Sequence, residues 1–216
     1  MTLKQKGVDY SLYLVTDRGL SLGRPVEEVV LAAVKGGVTC VQLREKNCPS
    51  GEFLRLALRL REALDGKGIP LIINDRVDIA LASGADGVHL GQGDLPLESA
   101  RKITRGRMLI GISANSVEAA VRAEAGGADY LGISPVFATP TKTDTSEPLG
   151  MEGIRMMRSA VRIPIVGIGG LNAGNAGEVI RNGADGIAVV SAIMSAPDPE
   201  GAARELLREI RKAGEA

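Results

Sequence analysis

The stretch Gly84-Ala85-Asp86-Gly87-Val88-His89-Leu90 decides the fold, because its pattern returns three more times. Gly37-Val38-Thr39, Gly127-Ala128-Asp129 and Gly183-Ala184-Asp185 repeat the order glycine, small residue, aspartate or threonine, each ahead of a short apolar run. The four glycines lie 47, 43 and 56 residues apart, about two strand–helix units each. Glycine stops a helix in a left-handed cap and lets the chain turn tightly into the next strand, so the signature marks every second strand. Working outward, strands are predicted at Leu12–Thr16, Thr39–Arg44, Pro70–Asn74, Gly87–Leu90, Met108–Ile112, Tyr130–Ile133, Ile163–Ile168 and Gly186–Val190. Between them apolar residues recur at helical spacing, as in Val26, Val29, Val30, Ala33 and Val34. Regular alternation of strand and helix means a parallel sheet with crossover helices. Eight such units of even length predict an α/β protein, a (β/α)8 TIM barrel, in preference to an open doubly wound sheet. Residues 1–216 read as a single TIM-barrel domain, with Pro199–Ala216 as the closing helix.

Composition narrows the function. Lysine plus arginine (26) equals aspartate plus glutamate (26), which leaves no broad basic face for nucleic acid. Aromatic residues make up only 2%, too few for base-stacking platforms. No apolar run is long enough to span a bilayer, and Met1–Tyr10 lacks the apolar core of a signal peptide. Two cysteines, Cys40 and Cys48, do not make a secreted disulfide framework. The expectation is a cytoplasmic enzyme acting on small molecules, without nucleic-acid or membrane partners, and with a homo-oligomer left open.

In such barrels the C-terminal strand ends face the active site. Strand two ends Gln42-Leu43-Arg44-Glu45-Lys46. Side chains alternate along a strand, so Gln42 and Arg44 point inward and Leu43 outward. Arg44 and Lys46 concentrate positive charge suited to phosphate oxygens. Strands three and four each present a carboxylate just past their ends, Asp75 and Asp94. Two converging carboxylates repel unless a cation lies between them, and magnesium uses one or two carboxylates plus phosphate oxygens. The alternative is that both cap the helices that follow. His89, the only histidine, shares a face with Gly87 and is given no proton-transfer role. Ser113 ends strand five without a GxSxG elbow, so it is a hydrogen-bonding group and not a nucleophile. Gly169-Gly170 after strand seven, with Ser191 after strand eight, matches the usual barrel phosphate seat. The polar segment Phe137–Gly150, after strand six, reads as a ligand-binding lid. Two anion sites suggest two phosphorylated substrates, or one with phosphates at both ends.

These residues together resemble the thiamine-phosphate synthase family. The matching strings are QLREK (Gln42–Lys46), IINDR (Ile72–Arg76), VHLGQGDLP (Val88–Pro96), GIS (Gly111–Ser113), FATPTKTD (Phe137–Asp144), GIGG (Gly167–Gly170) and VS (Val190–Ser191). The resemblance implies that a hydroxymethylpyrimidine diphosphate joins a thiazole phosphate, releasing pyrophosphate, with carbon–oxygen cleavage ahead of carbon–nitrogen formation. It implies that Gln42, Leu43, Arg44, Glu45, Lys46 and Asn74 bind the pyrimidine diphosphate. Asp75 and Asp94 would hold Mg2+, Ser113 would touch the pyrimidine and Lys142 the departing diphosphate. Thr139, Pro140, Thr141, Gly170, Val190 and Ser191 would bind the thiazole phosphate. Arg44, Lys46, Ser113 and Lys142 are the implied catalytic residues. One departure is Asn115, where many relatives carry histidine. Asparagine cannot shuttle protons, which weighs against the sibling thiazole tautomerase, an isomerase on the same barrel. A non-catalytic binder of phosphorylated ligands is the third reading.

Overall fold

The computed structural model describes residues 7–138 and 147–215. Eight parallel strands close into a barrel in chain order: β1 (Leu12–Val15), β2 (Cys40–Leu43), β3 (Leu71–Asn74), β4 (Gly87–Leu90), β5 (Leu109–Ala114), β6 (Tyr130–Ile133), β7 (Ile165–Ile168) and β8 (Gly186–Val189). The helices between them are α1 (Val26–Lys35), α2 (Ser50–Leu64), α3 (Val77–Ser83), α4 (Leu97–Thr104), α5 (Val117–Ala125), α6 (Gly150–Ala160) and α7 (Ala176–Arg181). A four-residue helix, α8 (Ser191–Met194), follows β8, and α9 (Pro199–Gly214) packs against α1 and α7 to close the ring. The (β/α)8 barrel read from the alternation is the fold. Among the described residues no helix is long and apolar enough to cross a membrane.

The fourfold signature has a mechanical role. All four glycines have positive φ: Gly37 109°, Gly84 65°, Gly127 84° and Gly183 104°. L-residues rarely adopt that conformation. The residue two places on then reaches sideways to the strand before it. Thr39 Oγ1 accepts from Leu12 N at 3.0 Å. Asp86, Asp129 and Asp185 use Oδ2 to accept from Leu71 N (2.8 Å), Ile110 N (2.7 Å) and Ile165 N (2.7 Å). Arginines brace three of these turns from the helix one unit earlier in the chain: Arg61 of α2 on Gly84 O, Arg101 of α4 on Gly127 O and Asp129, Arg158 of α6 on Asp185. Each clasp ties an odd strand to the next even one, at the barrel end opposite the strand C-termini.

Parity sorts the side chains into two cores. Outward residues such as Leu14, Val41, Leu43, Ile73 and Val88 pack under the helices. Inward residues, including Tyr13, Cys40, Ile72, Leu109, Tyr130 and Val166, fill the barrel. Register sets Gln42 beside Ile72, Asn74 beside His89, and Ser113 beside Gly132. Most strands are shorter than the apolar runs, because barrel closure pairs only the central residues. β4 and β6 keep their expected bounds, and β5 alone runs further, to Ala114, so Ser113 lies within the strand.

Candidate active site

A cavity of about 990 Å³ opens at the C-terminal end of the barrel, lined from every strand. That is ample for two small phosphorylated molecules. On the β2–β4 side, Arg44, Lys46, Asn74, Asp75 and Asp94 all line it. Arg44 Nη1 binds Asp17 Oδ2 at 3.0 Å, and its backbone N–H donates to Thr16 Oγ1. Asp17 also takes Gly19 N, so the turn after β1 holds the guanidinium in place. Lys46 Nζ lies 2.5 Å from Asp75 Oδ2. Leu43 is fully buried in the outer core, and Glu45 pairs with Arg18 at 3.3 Å; neither lines the cavity. Burial pushes the Glu45 carboxyl above the usual range, against the pull of Arg18. The Gln42–Lys46 stretch thus faces the cavity only through its alternate residues, and the reason is strand parity.

The two aspartates converge, and neither caps a helix. The N-cap positions of α3 and α4 are Arg76 and Pro96, without side-chain cap bonds. Asp75 instead sits at φ 63°, its N–H bonded to His89 O at 2.8 Å. Asp94 Oδ2 accepts from Gly91 N at 2.7 Å. Burial raises the Asp94 pKa, and the adjacent Asp75 carboxylate raises it further. Like charges held together at a rim, with Lys46 against one of them, suit a divalent cation. Among the described residues no group of three or more histidine, cysteine, aspartate or glutamate side chains could hold a metal. A carboxylate pair alone matches magnesium, which completes its shell with phosphate and water oxygens.

Across the cavity, Gly170, Val190 and Ser191 line the β7–β8 side. Gly169 (φ 106°) and Gly170 (φ 65°) are consecutive left-handed residues. A Cβ on Gly170 would come within 2.8 Å of Ala138 O and of Phe137 Cβ. Glycine is therefore needed for conformation and for close approach of the loop after β6. That loop is pinned there, Val136 N to Ile168 O at 2.9 Å and Phe137 N to Gly169 O at 3.1 Å. The returning chain docks on the same turn, through Leu149 N to Pro135 O and Gly150 N to Val136 O. Thr139, Pro140, Thr141 and Lys142 lie outside the described residues.

The cavity floor holds a feature not anticipated from the sequence. Gln42, Tyr13, Tyr130, His89 and Ser113 form a continuous hydrogen-bonded line from β2 to β5. Tyr13 and Tyr130 are 117 residues apart, and only closure of the barrel brings their hydroxyls together. His89 does point into the barrel, as its parity with Gly87 predicts. The rim residue Asp17 was also missed, since an aspartate after a strand carries no signal of its arginine partner.

The family described as thiamine monophosphate synthase matches residues 12–193. A thiamine-phosphate synthase of Albidiferax ferrireducens is 55% identical over 87% of this chain and 86% of its own. One from Chloroflexus aurantiacus is 52% identical over 92% of each. Among solved structures, a thiamine phosphate pyrophosphorylase from Pyrococcus furiosus superposes with a TM-score of 0.88 at 42% identity, covering 95% of this chain and 97% of that one. None of these three carries the isomerase name.

Proposed function

The chain belongs to the thiamine-phosphate synthase family, transferases of thiamine biosynthesis, and from that premise we propose that it joins hydroxymethylpyrimidine diphosphate to thiazole phosphate, giving thiamine phosphate and pyrophosphate. The observation that carries the reading is the division of one cavity into two anion-suited rims. Arg44, Lys46 and the aspartate pair line one, and Gly170 and Ser191 the other.

The chemistry needs no strong base. The methylene carbon–oxygen bond breaks with its electrons leaving on the diphosphate, and the thiazole nitrogen bonds to the methylene. In the dissociative form of this substitution, cleavage runs ahead and the amino-substituted ring stabilises the methylene cation. The barrier then falls with the positive charge placed at the leaving group. Arg44 offers a fixed fork to diphosphate oxygens, held by Asp17. Lys46 and Lys142 add point charges, and Asn74 a neutral donor. Asp75 and Asp94 would hold Mg2+, which when bound supplies charge neutralisation to the diphosphate. Gln42 and Ser113 face the pyrimidine. Gly170, Val190 and Ser191, with Thr139, Pro140 and Thr141, hold the thiazole phosphate, using backbone N–H groups where glycine permits close approach. Enclosure within the barrel keeps water from the cation.

The test is direct. The protein is incubated with both substrates and Mg2+, and pyrophosphate and thiamine phosphate are assayed. Product is expected in equal amounts and is lost with EDTA. No product, where a known synthase turns over, ends the reading.

A further inference from the structure

The hydrogen-bonded line on the cavity floor has a direction. Gln42 Nε2 donates to Tyr13 Oη at 3.0 Å. Tyr13 and Tyr130 hydroxyls are 2.8 Å apart, Tyr130 Oη is 3.0 Å from His89 Nδ1, and His89 Nε2 is 3.0 Å from Ser113 Oγ. A phenol has a single proton to give. Both phenols are fully buried, which keeps that proton in place far above neutral pH. Tyr13 Oη already accepts from Gln42, so its proton goes to Tyr130. Tyr130 then donates to Nδ1. A neutral imidazole with a bare Nδ1 carries its proton on Nε2, which donates to Ser113 Oγ. The hydroxyl proton of Ser113 is left to point elsewhere, and Ser113 lines the cavity.

The other end has the opposite character. Gln42 Oε1 accepts no hydrogen bond among the described residues, and no enclosed polar side-chain atom there lacks a partner, so Oε1 opens onto the cavity as an acceptor. The ends are not independent. Turning the Gln42 amide over would reverse every link and swap acceptor and donor together. The barrel is also built around this line. A Cβ on Gly111 would overlap the Tyr130 ring, and one on Gly132 would lie 2.9 Å from His89 Cε1. Two strand glycines thus make room for the two rings at its centre.

We infer that this relay presets the floor as acceptor at Gln42 and donor at Ser113, and so selects a heterocycle with an exocyclic amino group beside a bare ring nitrogen. Tyr13, Tyr130 and His89 are its positioning residues. The 4-oxo counterpart, in its lactam form, presents a carbonyl beside a ring N–H, the reverse order, and meets a mismatch at both ends. Sites built on such bonds reject the wrong partner strongly, because buried polar groups are left unpaired. This inference rests on the reading that Gln42 and Ser113 face the pyrimidine.

Two measurements test it. Because His89 is the only histidine, nitrogen NMR of histidine-labelled protein reports one imidazole and its tautomer without any substrate. The Nε2–H tautomer is expected in the native chain, with a shift toward a mixture in Tyr130→Phe. A native Nδ1–H tautomer overturns the inference whatever the enzyme does. The second measurement is kcat/KM for the amino substrate against its oxo analogue. Tyr13→Phe frees the Gln42 amide to turn, so the preference should fall by about 100-fold, mostly through gain on the oxo analogue. An unchanged ratio in a folded Tyr13→Phe protein overturns the inference. If that variant does not fold, the ratio in Tyr130→Phe decides. Native protein without synthase activity but with the expected tautomer would sink the functional reading and leave the relay standing.

Discussion

Asp94 is held where its charge is costly. Burial and Asp75 both disfavour its ionised form, and Asp75 itself occupies a left-handed conformation that non-glycine residues reach only at a cost of about 1–2 kcal/mol. Residues kept against their own stability usually serve a ligand. Asp94→Asn removes the repulsion while keeping the bond from Gly91 N available. Thermal melts should show the variant as stable as the native chain or up to about 2 °C more so, with kcat down by about 100-fold or more. Mg2+ should raise the melting temperature of the native protein and not of the variant; near-native kinetics in the variant would remove Asp94 from the metal site. Gly170→Ala places a Cβ against Ala138 O and Phe137 at φ 65°. It should raise KM for the thiazole phosphate by about 10-fold or more, at 1–3 kcal/mol of strain, with KM for the pyrimidine diphosphate nearly unchanged. At this scale, parity placed Gln42 and Arg44 correctly toward the barrel, and Asn74 and Ser113, singled out by the resemblance and by position at a strand end, line the same cavity. It could not show that Lys46 meets Asp75, that Asp17 grips Arg44, or that two tyrosines join across the floor, because those contacts exist only once distant strands are curved onto each other.

Elements are tied by short polar links whose strength can be read separately from catalysis. Glu124, at the end of α5, accepts from Arg162 N (2.6 Å) and Ile163 N (3.0 Å) just before β7. These bonds lower its pKa. A carboxylate with a lowered native pKa stabilises the fold above the unfolded value and loses that contribution as pH falls through the native one. Glu124→Ala should therefore melt below the native protein at pH 7, with the gap closing under about pH 4; a gap independent of pH would mean the charge plays no part. Asp86→Ala strips the buried Leu71 N–H of its side-chain acceptor. The expected loss is about 1–3 kcal/mol, or about 2–10 °C in melting temperature, with kcat unchanged because the clasp lies at the far end of the barrel. The glycine of each clasp was readable from sequence as a helix stop. Its aspartate was read only as part of a pattern, since the bond it makes lies one strand away.

Across the whole molecule, chemistry and architecture occupy opposite ends of the same strands, as is general for this fold. The two rims should act as separate seats. Pyrophosphate is expected to compete with the pyrimidine diphosphate and not with the thiazole phosphate in initial-rate inhibition; competition against both would merge the seats into one. Alternation, evenness and strand-end chemistry were enough to anticipate the barrel and both rims. The boundaries were less readable, because apolar composition marks burial while hydrogen-bond register marks where pairing stops.

The clasps also make each pair of neighbouring strands self-contained. The turn at Arg105–Arg107, between α4 and β5, crosses none of them: Thr39 and Asp86 serve the first four strands, Asp129 and Asp185 the last four. A chain severed there would yield two half-barrels, each keeping its two side-chain-to-strand bonds, and the only brace divided among those described would be that of Arg101 on Gly127 and Asp129. Such halves, expressed together, would have every reason to find each other, through the raw edges of β1 with β8 and β4 with β5.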